Sequence, residues 1–151
     1  MKLIGLATDH AGFEMKEYVK NFINSKEEYS FKDFGTHSSE SVDYPDFAHP
    51  LAEAVEAGEV DLGFAFCGSG NGIAMALNKH QGIRAAICWN PEMARLTRAH
   101  NDANILVLPA RFISISEIEN IINMFLKTPF DGGRHQQRID KIPVKNPGTN
   151  C

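Results

Sequence analysis

One cysteine of the chain stands where a thiol could do chemistry. Cys67 ends an apolar run and is followed at once by Gly68-Ser69-Gly70-Asn71-Gly72. Backbone N–H groups in a glycine loop that opens a helix converge on one point, together with the positive end of the helix dipole. Such a loop is an anion hole, and a thiol beside it is expected to have a lowered pKa and thiolate character, the alternative for Cys67 being a buried, inert cysteine. The alternatives are a nucleotide loop and a plain strand-to-helix turn. The first is disfavoured, because the spacing is not G-x-G-x-x-G, no Lys-Ser/Thr follows, and the loop comes after the third apolar run instead of the first.

Three other groups could work with it. Asp9-His10 closes the first apolar run, either as a helix cap with a surface histidine or as a polar pair facing Cys67 across adjacent strand ends. His100, followed by Asn101 and Asp102, falls near the end of a helical segment, as a packed core histidine or as a proton-transfer group. Arg134 and Arg138 are four residues apart beside His135, and Arg111 follows the fifth apolar run. Guanidinium groups bind phosphate oxygens bidentately, so these arginines read as a phosphate clamp against the alternative of a solvated tail. An anion hole, a thiolate base, a histidine acid and arginines describe proton abstraction next to a carbonyl in a small phosphorylated molecule. No metal-ligand spacing competes with that reading. Cys88, inside an apolar run, reads as inert, and Cys151 as an incidental exposed thiol.

The elements that must position these groups alternate along the chain. "KLIGLATD" is a buried-strand pattern, followed by Met15, Tyr18, Val19, Phe22 and Ile23 on one helical face. "YSFKDFG" is a weaker strand, and a polar loop leads to a helix carrying Phe47, Leu51 and Val55 that closes at Gly58. "VDLGFAFC" is apolar throughout, as a central parallel strand should be. After the glycine loop come the helix "IAMALNK" and the strand "IRAAICW". Asn90-Pro91 caps the next helix, on which Met93, Leu96, Thr97 and His100 share a face. "NILVLPA" is a fifth strand, and Ser114 with Glu117, or Ser116 with Glu119 at the same spacing, can form a capping box for a last long helix. The result is an α/β fold, a single-domain, doubly wound, Rossmann-like five-stranded parallel sheet with helices on both faces. Ligands of such sheets bind at the carboxyl ends of the strands, where Asp9-His10 and Cys67-Gly68 fall.

Composition narrows the partners. With 151 residues, 43% hydrophobic and 23% charged, the chain reads as one globular domain. A net charge of −4 argues against nucleic acid and anionic membrane, so basic function must be local. An odd number of widely spaced cysteines, no signal-peptide pattern and no long apolar stretch lead to the expectation of a cytoplasmic protein.

The segments "ATDHAGF", "VDYPDFA", "CGSGNGIAMALNK", "GIRAAIC", "RAHNDANILVL" and "GGRHQQRI", in that order, cover nearly the whole chain. In these the sequence resembles type B ribose-5-phosphate isomerases, a family that also includes galactose-6-phosphate isomerase subunits. The resemblance implies that Cys67 moves a proton between C1 and C2 of a sugar phosphate. The N–H groups from Gly68 through Gly70 and Asn71 to Gly72 would hold the enediolate, with Ser69 near the reacting oxygens. His100 would open the furanose ring, assisted by Asp9 and His10. Asn101 and Tyr44 would contact the sugar, and Arg111, Arg134 and Arg138 its phosphate, with the arginines of the segment from about 132 to 151 serving as a clamp. It further implies no cofactor, ribose 5-phosphate and ribulose 5-phosphate as the pair interconverted, and a homodimer or dimer of dimers whose sites are completed by a neighbouring subunit. A six-carbon sugar phosphate, such as allose or galactose 6-phosphate, is the alternative substrate, and a flavodoxin-like nucleotide module the alternative class. One branch of the family carries a glutamate base after the glycines. Ile73 stands after Gly72 here, which places this chain in the cysteine branch.

Overall fold

The fold was analysed in a computed structural model that describes residues 1–145; Cys151 and most of the terminal "VKNPGTNC" lie outside the described residues. Five strands, β1 (Lys2–Thr8), β2 (Tyr29–Asp33), β3 (Leu62–Cys67), β4 (Ala85–Ile87) and β5 (Ile105–Pro109), form one all-parallel sheet in the order β2-β1-β3-β5-β4. The helices are α1 (Phe13–Asn24), α2 (Pro45–Glu56), α3 (Asn71–Leu77), α4 (Pro91–Asn101), α5 (Ile115–Lys127) and α6 (Arg134–Ile139). This is the expected doubly wound arrangement. The strand "IRAAICW" shortens to three ladder residues in β4, an edge strand that pairs only with β5. None of the helices is long and apolar enough to cross a membrane among the described residues.

Side-chain alternation divides the core in two. Ile4, Leu6, Phe64, Phe66, Leu106 and Leu108 point into a cluster of large side chains with Val19 of α1 and Ile118, Ile121 and Phe125 of α5. The other face presents smaller side chains from β1 and β3, Ala7, Ala65 and Cys67, to Leu51 of α2 and Ile73 and Leu77 of α3. The small face lets α2 come close: a Cβ on Gly5 would stand 2.5 Å from Leu51 Cδ1. Local signals set the helix starts. Asn90 Oδ1 accepts the Met93 N–H at 2.9 Å, and Ser114 with Glu117 closes the capping box ahead of α5.

An ion pair fastens α1 to the end of β2. Lys16 is fully buried, its Nζ 2.5 Å from Asp33 Oδ1 and 2.7 Å from the Thr36 carbonyl. Asp33 Oδ1 also accepts the Gly35 N–H at 2.9 Å, while Oδ2 lies 3.1 Å from Lys20 Nζ without an aligned hydrogen bond. Burial works against this carboxylate, but Lys16, the Gly35 N–H and Lys20 outweigh it and hold Asp33 below its ordinary 3.8. The pair thereby fixes where the loop from Gly35 to Tyr44 begins.

Removing one partner of a buried pair strands the other. Lys16→Met is therefore expected to cost about 3–5 kcal/mol in urea denaturation. Because the folded pKa of Asp33 lies below the unfolded one, its contribution is fully present above pH 3.8 and is lost as the pH falls through the lower folded value. Acid unfolding followed by circular dichroism should therefore be less steep in Asp33→Asn.

Candidate active site

Parity and register put Asp9 beside Cys67. β1 and β3 are parallel neighbours with Ala7 opposite Ala65 and Thr8 opposite Phe66, so the next pair along is Asp9 and Cys67. Both follow the alternation of Ala7 and Ala65 and leave the sheet on the α2–α3 face. The chain turns from β1 to β2 on one side of this pair and to β3 on the other, which makes it the topological switch point.

The two side chains meet. Cys67 Sγ donates to Asp9 Oδ2 at 3.0 Å, with Cys67 8% and Asp9 6% exposed. The other carboxylate oxygen, Oδ1, accepts the N–H groups of Ala11 and Gly12 at 2.9 and 3.3 Å. Asp9 thus both caps the short 3-10 turn of residues His10–Gly12 and faces the thiol. The expectation of a lowered thiol pKa is corrected by this contact. Burial and the Asp9 carboxylate push Cys67 above its ordinary 9.0, and the Gly70 and Gly68 N–H groups, which pull the other way, are outweighed. Cys88 is pushed up to about 12 by burial alone, as suits an inert core thiol.

The loop and its neighbours surround the pair. Gly70 has φ +79, a left-handed turn that a side chain would strain, and it caps α3. Tyr44, at the cap of α2, lies against Gly72, where a Cβ would come 2.5 Å from its ring. The Arg111 side chain runs beside Gly68, where an added Cβ would stand 3.3 Å from its Cδ, and its backbone N–H donates to the Gly68 carbonyl at 3.0 Å. His10 Nδ1 accepts the Val42 N–H at 3.3 Å, which leaves Nε2 to carry the proton of the neutral ring. A cavity of about 500 Å³ opens beside Asp9 and His10 and is walled by Val42, Asp43 and Tyr44. Ser69 is exposed, accepts the Asn71 N–H at 3.2 Å, and with Asn71 lines a separate groove of about 340 Å³ against Trp89 and Phe112.

The remaining candidates lie elsewhere. α4 leaves the carboxyl end of β4 and returns the chain to the start of β5, so its last residues, His100 and Asn101, are carried about 15 Å to the opposite edge of the sheet. There the Asn101 carbonyl accepts from Nε of Arg84, the residue before β4, at 3.0 Å. α5 runs the same way and delivers α6, with Arg134 and Arg138, to that edge. The His135 ring stacks on His100 with centroids 4.4 Å apart. His100 is half-buried and packs on another ring, outside the apolar core. One chain therefore holds Asp9, His10, Tyr44, Cys67, the loop and Arg111 at one end, and His100, Asn101, Arg134 and Arg138 at the other. Among the described residues, Arg84 and Arg98 pair with Asp102 and Arg95 with Glu92, whereas no ion pair engages Arg111, Arg134 or Arg138.

A buried thiol hydrogen-bonded to a carboxylate, beside an N–H-rich loop at the switch point of an open α/β sheet, defines an enzyme that moves protons on a small molecule. The profile described as Ribose/Galactose Isomerase matches residues 4–142. The ribose-5-phosphate isomerase B of Escherichia coli K12 is 43% identical over 143 residues, 94% of this chain and 95% of that one. The crystal structure of a Thermotoga maritima ribose 5-phosphate isomerase superposes with a TM-score of 0.91 at 50% identity, over 94% of this chain and 97% of that one. The Mycoplasma genitalium ribose-5-phosphate isomerase B, solved with bound ribulose-5-phosphate, gives 0.87 at 40% identity over 93% of each chain. The chain belongs to the ribose/galactose isomerase family, and it is a sugar-phosphate isomerase.

If the Asp9 carboxylate holds the thiol protonated, Asp9→Asn, which keeps the capping oxygen but loses the charge, lowers the thiol pKa. Alkylation of Cys67 by iodoacetamide at pH 7.5, followed by mass spectrometry of its peptide, is then several-fold faster in the variant. An equal or slower rate would contradict the assigned direction.

Proposed function

We propose that this enzyme interconverts ribose 5-phosphate and ribulose 5-phosphate with Cys67 as the base, acting through Asp9. The observation that carries the reading is the 3.0 Å hydrogen bond from Cys67 Sγ to Asp9 Oδ2. It gives the thiol proton a place to go within hydrogen-bond reach. The thiolate then takes the proton from C2 of the open-chain aldose and returns it to C1, while the hydroxyl proton shifts from O2 to O1. Charge that develops on the two oxygens faces the N–H groups of Gly68 to Gly72, where one preorganised donor contributes about 3–4 kcal/mol. Tyr44 and His10 line the sugar cavity, and Arg111 flanks the loop. The step needs no electron acceptor, because one carbon is reduced as its neighbour is oxidised.

The residues at the far edge complete this site from a neighbouring subunit. His100 gives a proton to the ring oxygen as the furanose opens, Asn101 contacts the sugar, and Arg134 and Arg138 bind the phosphate. A two-fold dimer brings each far edge to the other subunit's thiol and forms two equivalent sites. What supports this is the split itself, since helix polarity keeps the two groups apart within one chain. The arginines outside any ion pair among the described residues suit a dianionic phosphate in an otherwise acidic protein, and the free thiols of Cys67 and Cys88 suit the reducing cytoplasm.

Cys67→Ala is expected to lower turnover of ribose 5-phosphate by about 100- to 10,000-fold with the circular dichroism spectrum unchanged, as for loss of a general base. Near-native turnover would remove Cys67 from that role. Shared sites make a second prediction. Cys67→Ala and His100→Asn homodimers are each impaired, but subunit exchange creates heterodimers with one intact site, and a statistical mixture regains about a quarter of native turnover. No recovery, with exchange verified by native mass spectrometry, would place both residues in a site within one subunit.

A further inference from the structure

His135 belongs to none of the roles assigned so far, yet it makes the most specific contact at the far edge. Its ring lies on that of His100, with centroids 4.4 Å apart and planes only 11° from parallel. The chain is bent to achieve this. After α5 the backbone N–H of Asp131 donates to the carbonyl of Ala99, next to His100, at 2.9 Å. Gly132 and Gly133 then both take positive φ, +67 and +58, and turn α6 back against α4. A Cβ at either glycine would meet nothing within 4 Å, so the backbone conformation, and not space, calls for glycine there. Ile139, buried at the end of α6, anchors the returning helix.

The donor atoms of His100, Asp131 and His135 lie within 4.8 Å of one another, which raises the question of a metal ion. The ring geometry opposes it. Imidazole lone pairs lie in the ring plane, and near-parallel stacked rings hold theirs in two separate planes, where they do not converge on one ion. Stacking, in contrast, is what this arrangement does well: it fixes the plane and tilt of one ring by another.

We infer that His135 is a positioning residue for His100, its stacked ring holding the His100 imidazole in the plane from which it delivers a proton to the sugar. The inference rests on the proposed role of His100 in ring opening. The pairing also has an electrostatic side. The groups facing His135 are His100 from α4, Asp131 from the preceding loop, and Arg134 and Arg138 from α6. Burial, then the charges of His100 and Arg134, lower its pKa below 6.5 against the opposing pull of Asp131. The shift favours the uncharged ring of His135, the form that can lie flat on its neighbour without adding a second positive charge.

Kinetics and NMR of the intact enzyme test this. His135→Ala should lower kcat on ribose 5-phosphate by up to about 100-fold, the scale for a misplaced catalytic group, with KM within about two-fold of native. His135→Phe, which keeps a flat ring but cannot titrate or bind phosphate, should recover most of the loss. An unchanged kcat in His135→Ala overturns the inference. So does a raised KM that His135→Phe fails to restore, which would make His135 a phosphate ligand. In His100→Asn the His135 imidazole should titrate at higher pH, read from its carbon-bound proton shifts; an unmoved titration overturns the coupling between the rings. The titration does not depend on the substrate, so a wild-type enzyme inactive on ribose 5-phosphate would sink the functional reading while leaving the stack still on trial.

Discussion

Everything at the thiol end depends on the register between β1 and β3. With Ala7 opposite Ala65, Asp9 and Cys67 emerge as neighbours on the same face. Slipping either strand by one residue would turn its side chain to the other face, toward Phe125 and Ile118. The register is held by the contrast between the faces. Leu6, Phe64 and Phe66 fill the α1–α5 side, whereas Gly5, Ala7, Gly63 and Ala65 leave only shallow relief toward α2. That shallow face brings α2 in, and α2 carries Tyr44 at its cap onto Gly72. The small residues of the strands thus shape the cavity beside Asp9 and His10 without lining it.

Charge is distributed with the same economy. The buried Lys16 ammonium is satisfied by Asp33 and by the Thr36 carbonyl, and so ties down the start of the loop that ends in Tyr44. At the thiol a carboxylate and two backbone N–H groups act in opposite directions, and the carboxylate together with burial prevails. A resting thiol is a weak nucleophile toward adventitious electrophiles, since only the thiolate reacts. Its proton already lies on the hydrogen bond to Asp9, so the ionisation that the proposed base role calls for would require no rearrangement of the backbone.

Much of this was legible in the sequence, for physical reasons that can be named. The five apolar runs, the Asn90-Pro91 start and the Ser114–Glu117 box are local signals, and local contacts realise them. The place of Asp9 and Cys67 at adjacent strand ends follows from parallel topology. The thiol's pKa did not follow. The N–H groups of the loop are visible in "CGSGNG", but the opposing carboxylate comes from a residue 58 positions away, and its weight depends on burial. The Lys16–Asp33 pair was hidden similarly, because a lysine on an amphipathic helix ordinarily reads as solvated. The His100–His135 stack needs two helices and a glycine turn to exist.

The separation of His100 and the two C-terminal arginines from Cys67 has a simple cause. In a parallel sheet every connecting helix runs antiparallel to the strands, so what lies at the start of a helix stays near the site and what lies at its end is carried away. Asn90 is at the start of α4 and His100 at its end. A residue at the end of such a helix can serve a site at the carboxyl edge only through another molecule. Under the proposed roles, an isolated subunit would hold a thiol with no acid opposite it and, in Arg134 and Arg138, arginines with no sugar to clamp. In the proposed dimer, association would do more than stabilise the fold: it would supply the second half of the chemistry, and the two-fold symmetry that completes one site would complete the other at the same time.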